Sequence, residues 1–253
     1  MNLVIFSLIM LLVGYTGTGI DMQGEQATEQ VDKTFTLAPG AQVEISGLNG
    51  RLEIETWDNP TAEIHITVKA SSRTVLEQRP LIVEGTPQSL VIRVGKDVEG
   101  GQTGWNRGWV RHQSRLKLPK NINLKVSGIN GGVIAGAITG TIQLSGINGG
   151  VEAVQAGSAA EIKGINGGVT VSLLSISEAG LRVTGINGGV KLALPASLNA
   201  NIEIKGINGG INNDLPVTVV GEVKRDRLTG SIGSGGPPIL ISGINGGVTM
   251  RRN

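Results

Sequence analysis

Side chains able to do chemistry are scarce in this sequence. Its 253 residues include no Cys and only 2 His, which excludes thiol nucleophiles, Cys-ligated metals and a His-rich metal site. A polysaccharide-cleaving site of the kind parallel β-helices carry would need several Asp or Glu on one face, as an acid–base pair or a calcium cage. From residue 128 onward the acids are Glu152, Glu161, Glu178, Glu203, Asp214, Glu222 and Asp226. They fall at scattered positions of the repeat described below, and only Glu161 and Glu203 share one, with Arg182 between them. No G-x-S-x-G, G-x-x-x-x-G-K-[ST] or H-E-x-x-H string occurs. The sequence therefore predicts no catalytic residues, no metal ligands and no cofactor.

One segment could recognise a partner. Gly104-Trp105-Asn106-Arg107-Gly108-Trp109-Val110-Arg111-His112 holds two of the 3 Trp. Around it, residues 100–127 carry Arg107, Arg111, Arg115, Lys117, Lys120 and Lys125 with no acid. Trp and Arg carry much of the energy of binding surfaces, and an exposed Trp can stack on a sugar or sit at a membrane interface. Trp105, Arg107, Trp109 and Arg111 are the candidate recognition residues. The alternative is a loop whose Trp cap the core while its cations stay solvated.

These candidates sit on a chain with an unusual composition. Gly numbers 40, and Trp, Tyr and Phe number 3, 1 and 2, so the core must be built from Ile, Val, Leu and Ala. A hydrophobic share of 39% and a charged share of 17% exclude a disordered chain. The net charge of +2 gives no strong pull on nucleic acid, and none is expected as a partner.

Internal repetition dominates the organisation. Gly-Ile-Asn-Gly-Gly-[Val/Ile] starts at Gly128, Gly146, Gly164, Gly185, Gly206 and Gly243, with a divergent copy at Gly47-Leu48-Asn49-Gly50-Arg51-Leu52. Successive full copies are 18, 18, 21, 21 and 37 residues apart. The period suits one turn of a β-solenoid, and the final gap suggests a turn that has lost its motif. Before each copy apolar and polar residues alternate, as in Leu124-Lys125-Val126-Ser127 and Leu181-Arg182-Val183-Thr184, which is strand patterning. Asn-Gly supplies a turn, and the next strand restarts at Val133, Val151, Val169, Val190, Ile211 and Val248.

Stacking the copies predicts columns. Ile129, Ile147, Ile165, Ile186, Ile207 and Ile244 form an interior stack. Asn130, Asn148, Asn166, Asn187, Asn208 and Asn245 stack at the strand spacing of about 4.8 Å, where their amides can form a ladder. This turn and ladder role is structural. The column Lys125, Gln143, Glu161, Arg182, Glu203 faces outward, and its last three members attract by a few tenths of a kcal/mol per neighbouring pair. Seven or more turns would make a rod of roughly 35 to 50 Å.

The expected organisation has four parts. Residues 1–20 form a signal peptide or short N-terminal anchor, since the apolar run Leu3–Val13 spans about 16 Å as a helix against about 30 Å of bilayer core. Residues 21–40 form a polar linker into the first strand, and 41–127 an irregular β cap with strands at 42–46, 52–57, 62–70, 81–84 and 90–94. Residues 128–253 form the GINGG solenoid, and Gly230–Pro238 reads as a loop. The fold class is all-β, a parallel β-solenoid of 18–21-residue rungs.

The sequence resembles the bacterial "putative adhesin" family of N-G repeat proteins and the related head-GIN domain. The match is carried by the motif itself and by Arg115-Leu116-Lys117-Leu118-Pro119, Leu194-Pro195-Ala196 and Leu228-Thr229-Gly230-Ser231-Ile232-Gly233 ahead of copies. It spans roughly residues 40–250, and the uniformity of the copies departs from the family's looser pattern. The resemblance implies an exported solenoid of the periplasm, cell envelope or extracellular space, without a catalytic site. Expected partners are a protein or glycan at the envelope, with membrane association possible through residues 1–20. The expected function is a non-enzymatic adhesin or surface scaffold. The alternatives are an envelope-stress accessory that binds a membrane partner, and a polysaccharide-acting enzyme.

Overall fold

A computed structural model describes residues 26–95, 108–219, 224 and 226–253. The leader expected at 1–20 and the candidates Trp105 and Arg107 lie outside the described residues. The described chain is all-β apart from one six-residue helix, in two large, mostly parallel sheets of ten and eleven strands.

The first half contributes β1 (Ala27–Thr36), β2 (Gln42–Ser46), β3 (Leu52–Trp57), β4 (Thr61–Ala70), α1 (Arg73–Gln78), β5 (Leu81–Thr86), β6 (Ser89–Val94) and β7 (Val110–Pro119). In β4 the alternation is strict: Ala62, Ile64, Ile66, Val68 and Ala70 are buried while Glu63, His65, Thr67 and Lys69 point away. Strand β1 corrects the linker expected over 21–40. Its ten residues offer few apolar side chains to the core, chiefly the half-buried Val31 and Phe35, so its sequence signal is weak. Backbone pairing holds it, antiparallel to β4 from Ala27↔Ala70 to Thr36↔Thr61. Strand β7 lies between β4, to which it is antiparallel, and β3, to which it is parallel, and β1 forms the edge of the ten-stranded sheet at this end.

The repeats contribute β8 (Asn123–Ser127), β9 (Val133–Ile138), β10 (Ile142–Ile147), β11 (Val151–Gln155), β12 (Ala160–Ile165), β13 (Val169–Leu173), β14 (Leu181–Ile186) and β15 (Val190–Leu194). Even-numbered strands of this set lie in the eleven-stranded sheet and odd-numbered ones in the ten-stranded sheet. Each motif is thus the crossing from one sheet to the other. Pairing is parallel with equivalent residues opposed, as in Leu144↔Ile162, Ile162↔Val183, Val151↔Val169 and Val169↔Val190. The expected Ile column is buried throughout, with Leu48 of the divergent copy, and each side chain contributes on the order of 1.5–3 kcal/mol by leaving water. The same register already holds at Ile45↔Val126 and Leu52↔Val133, so the repeat pattern extends back to β2 and β3.

The last third departs from expectation. It forms β16 (Ala200–Ile207), β17 (Ile211–Asn213), β18 (Val217–Val219), β19 (Arg227–Ile232), β20 (Pro238–Ile244) and β21 (Val248–Arg252). The 37-residue gap does not hide a turn that has lost its motif. Strands β18 and β19 pair antiparallel, and β19 covers β16 antiparallel. The chain then returns and inserts β20 between β14 and β16, and β21 between β15 and β17. The final motif copy therefore lies between the fourth and fifth full copies in space. The loop expected at Gly230–Pro238 is shortened to residues 233–237, because Gly230–Ile232 complete β19 and Pro238 opens β20.

Candidate functional site

The sequence candidates are positioned by the antiparallel end of the ten-stranded sheet. Helix α1 is capped by Ser72, whose hydroxyl accepts the Val75 backbone N–H at 3.3 Å. Beside it, Ser71 and Trp109 bind each other: the Ser71 N–H donates to the Trp109 carbonyl at 2.9 Å, and the Trp109 N–H to the Ser71 hydroxyl at 3.2 Å. Glycine is required just before, because a Cβ on Gly108 would lie 2.3 Å from the Ser71 hydroxyl oxygen and its φ is +63°. These contacts place Trp109 just ahead of β7 with 36% of its surface exposed.

Two residues on, the Arg111 guanidinium lies 5.2 Å from the centroid of the Trp109 ring. That stacking holds a cation over a π face and presents a planar donor group beside an apolar ring. At the other end of β7, the Lys117 ammonium lies 4.2 Å from the Trp57 ring, whose indole N–H donates to the Thr61 carbonyl.

The acid-free basic cluster of the sequence does not survive folding. Glu53 meets Arg115 at 3.5 Å, Asp58 pairs with Lys120, and Glu44 meets Lys125 at 2.9 Å. All three acids come from the N-terminal half, so a reading along residues 100–127 alone misses them. Arg111 and Lys117 of this cluster meet aromatic rings instead, and of the two rings that of Trp109 belongs to an exposed residue.

The Asn column is the ladder expected. Asn130 donates to Asn49, Asn148 to Asn130, Asn166 to Asn148 and Asn187 to Asn166, all at 2.8–2.9 Å. Asn245 then donates to Asn187 at 2.9 Å and Asn208 to Asn245 at 3.1 Å. At the far end the Asn49 amide donates to the Val110 carbonyl, and its backbone N–H to His112 Nδ1 at 3.0 Å. His112 thus stands where another copy would stack. It is 5% exposed, and burial pushes its pKa below the ordinary imidazole value, only partly countered by the Asn49 bond.

The outward column is altered by the inserted strand. Arg182 faces Glu161 on one side but Leu240 on the other, and Leu240 separates it from Glu203. Glu203 instead takes a 2.7 Å hydrogen bond from Lys205, which holds its carboxyl below the usual range. Beside the turns, a groove of about 510 Å³ runs over Gly132, Gly150, Gly168 and Gly189 between Arg51 and Lys191. Among the described residues no three His, Asp or Glu gather as a metal site. An exposed His65–Asp32 contact at 2.7 Å lies on β4 and β1.

No family model matches this chain, and no curated protein matches it. Solved structures are similar at low identity, among them the following three. A "putative cell adhesion protein" from Clostridium sporogenes shares 13% identity with a TM-score of 0.42, over 90% of this chain and 100% of the other. A "putative adhesin" from Bacteroides fragilis shares 9% with a TM-score of 0.29, over 88% and 97%. A "putative lipid binding protein" from Parabacteroides distasonis shares 14% with a TM-score of 0.27, over 90% and 97%. Likeness of this degree assigns the chain to no family.

Proposed function

We propose that this protein is an exported, non-enzymatic β-solenoid of the cell envelope that acts as an adhesion surface or scaffold and engages its partner through Trp109 and Arg111. The observation that carries the reading is the exposed indole of Trp109 with the Arg111 guanidinium on its face. Elsewhere aromatic side chains are rare, Arg115, Lys120 and Lys125 are paired with acids, and Lys117 lies over the Trp57 ring. A planar cation beside a flat apolar ring suits a ligand that offers hydroxyl or carboxylate oxygens next to a C–H face, as a glycan does. The solenoid reading rests on the sheet-to-sheet crossing at every motif and the repeated parallel register. The resemblance of the motif and its flanking phrases to the adhesin family supports the surface role.

The test is binding of the purified chain to whole cells, a glycan panel and matrix. Trp109→Ala, alone and with Trp105→Ala or Arg111→Ala, should leave the fold intact and weaken binding about thirtyfold, the effect of losing a hot spot of about 2 kcal/mol. Release of reducing or unsaturated sugar ends from any polysaccharide would overturn the non-enzymatic reading. Co-purification with a membrane protein, without glycan binding, would move the assignment to a regulatory accessory.

A further inference from the structure

The out-of-order insertion of the last motif copy has consequences for association. Strand β20 meets β14 through Leu181↔Ile239, Val183↔Ile241 and Ile186↔Ile244, and meets β16 through Ile202↔Ile239, Ile204↔Ile241 and Ile207↔Ile244. Strand β21 likewise meets both β15 and β17 at Val248. The slot between β14/β15 and β16/β17 is thus a complete rung-shaped site, lined on both sides by backbone and by Ile and Asn of matching register. The Asn ladder crosses it only because Asn245 supplies the amide between Asn187 and Asn208. Nothing in the slot depends on which copy of the chain supplies the rung.

The link that delivers the segment is short and tightly bent. Residues 233–237 reverse the chain from β19, antiparallel to β16, into β20, parallel to the same strand. Gly233 has a φ of +60° and Gly235 of +78°, and a Cβ on Gly233 would lie 2.0 Å from the Asn199 amide oxygen. A short bent hinge feeding a self-complementary segment into a slot is the arrangement in which segments exchange between copies. Opening gives up the hydrogen bonds of the bend, from the Ser234 N–H to the Asn199 side chain and from Asn201 to the Gly236 and Pro237 carbonyls, and every other contact is remade in the partner.

We propose that residues 238–253 exchange between two copies of this chain, each copy's β20 and β21 filling the slot of the other. The product is a reciprocal dimer in which every strand pairing and every ladder bond of the monomer is kept, and only residues 233–237 change conformation. Because the contacts outside the bend are the same in both forms, the balance is set by concentration and by the hinge.

The chain contains no cysteine, so engineered thiols report the exchange directly. Arg182 and Leu240 are opposed across β14 and β20, at a spacing a disulfide can bridge. One full-length copy carries Arg182→Cys and a second, differently tagged, carries Leu240→Cys. They are mixed, warmed below the unfolding transition, cooled and oxidised. The expected result is a covalent heterodimer whose disulfide joins the peptides containing positions 182 and 240. A Gln143→Cys copy in place of Arg182→Cys should give none, since Gln143 lies in the same column but on β10, which β20 does not touch. No 182–240 heterodimer at high protein concentration, or an equal yield from the Gln143→Cys control, would overturn the proposal. A second measurement uses deletion of Ser234 and Gly235, which makes the hinge too short to close within one copy. Light scattering should then find dimer at concentrations where the parent is mainly monomer, and a monomer of parental stability would equally sink the idea.

Discussion

The Asn245 side chain donates to the Asn187 side chain at 2.9 Å across 58 residues of sequence. Copies that are neighbours in the sequence are bonded elsewhere in the ladder at separations of 18 and 21. This one contact records that the final motif is filed between two earlier ones. It also sets the first expectation. Asn187→Ala and Asn245→Ala each remove two ladder bonds, whereas Asn208→Ala removes one. At about 0.5–1.5 kcal/mol net per bond, and toward the lower end because the amides are exposed, the interior variants should lose about 1–2 kcal/mol and the end variant about half as much. Urea denaturation midpoints measure the difference; equal losses at all three positions would contradict a ladder that ends at Asn208.

The inserted strand also separates two charges that the motif spacing places side by side. Arg182 and Glu203 lie two strands apart, about 10 Å, with Leu240 between them. A double-mutant cycle of Arg182→Ala with Glu203→Ala should give coupling within error of zero, while Arg182→Ala with Glu161→Ala should give a few tenths of a kcal/mol. Coupling of the first pair larger than the second would mean that β16 stacks directly on β14.

The two glycines after each Asn are not equivalent. A Cβ on Gly149 would lie 2.4 Å from the Gly131 carbonyl oxygen, whereas on Gly150 the nearest atom is 3.7 Å away. Gly149→Ala should cost on the order of 3 kcal/mol or more, because two backbones must separate. Gly150 is not in the left-handed region, so Gly150→Ala should be neutral, or stabilising by up to about 1 kcal/mol through the unfolded chain. Thermal unfolding of the two variants checks the contrast.

Acid should loosen the capped end of the ladder. Burial lowers the His112 pKa in the folded state below its ordinary value of 6.5, and Nε2 has no hydrogen-bond partner among the described residues. The unfolded chain therefore takes up this proton first as pH falls. The stability from a neutral His112 is complete above about pH 6.5 and declines as pH drops toward the folded value. His112→Asn, which keeps a side-chain acceptor near the Asn49 N–H, should be less stable overall but lose the part of the slope that sets in as pH falls through about 6.5. Parallel slopes for parent and variant in pH-dependent denaturation would assign the proton uptake to other groups.

Two of the candidate residues were legible in residue types alone. Trp109 and Arg111 stood out because aromatics are so few, and their spacing of two, with Trp109 just ahead of β7 and Arg111 within it, lets them stack. The pairing of Arg115, Lys120 and Lys125 was not legible. Glu53, Asp58 and Glu44 reach them only through parallel contacts between distant strands, and no local pattern encodes such a contact. Strand β1 escaped for a related reason: backbone hydrogen bonds to β4 hold it, and these carry no side-chain signature.

The sequence by itself determined the rung. Alternation sets which side chains enter the core, the leading glycine of each motif, at a φ near +60°, lets the chain leave one sheet for the other, and the identity of the copies sets the register in which Ile meets Ile and Asn meets Asn. Only the tertiary structure decided the order of the rungs. Every copy offers a neighbour the same Ile, the same amide and the same close backbone approach, so local energies for stacking copies in one order or another are nearly equal. The choice was made by elements outside the motif, the β18–β19 hairpin covering β16 and the bend at residues 233–237 that turns the last copy inward.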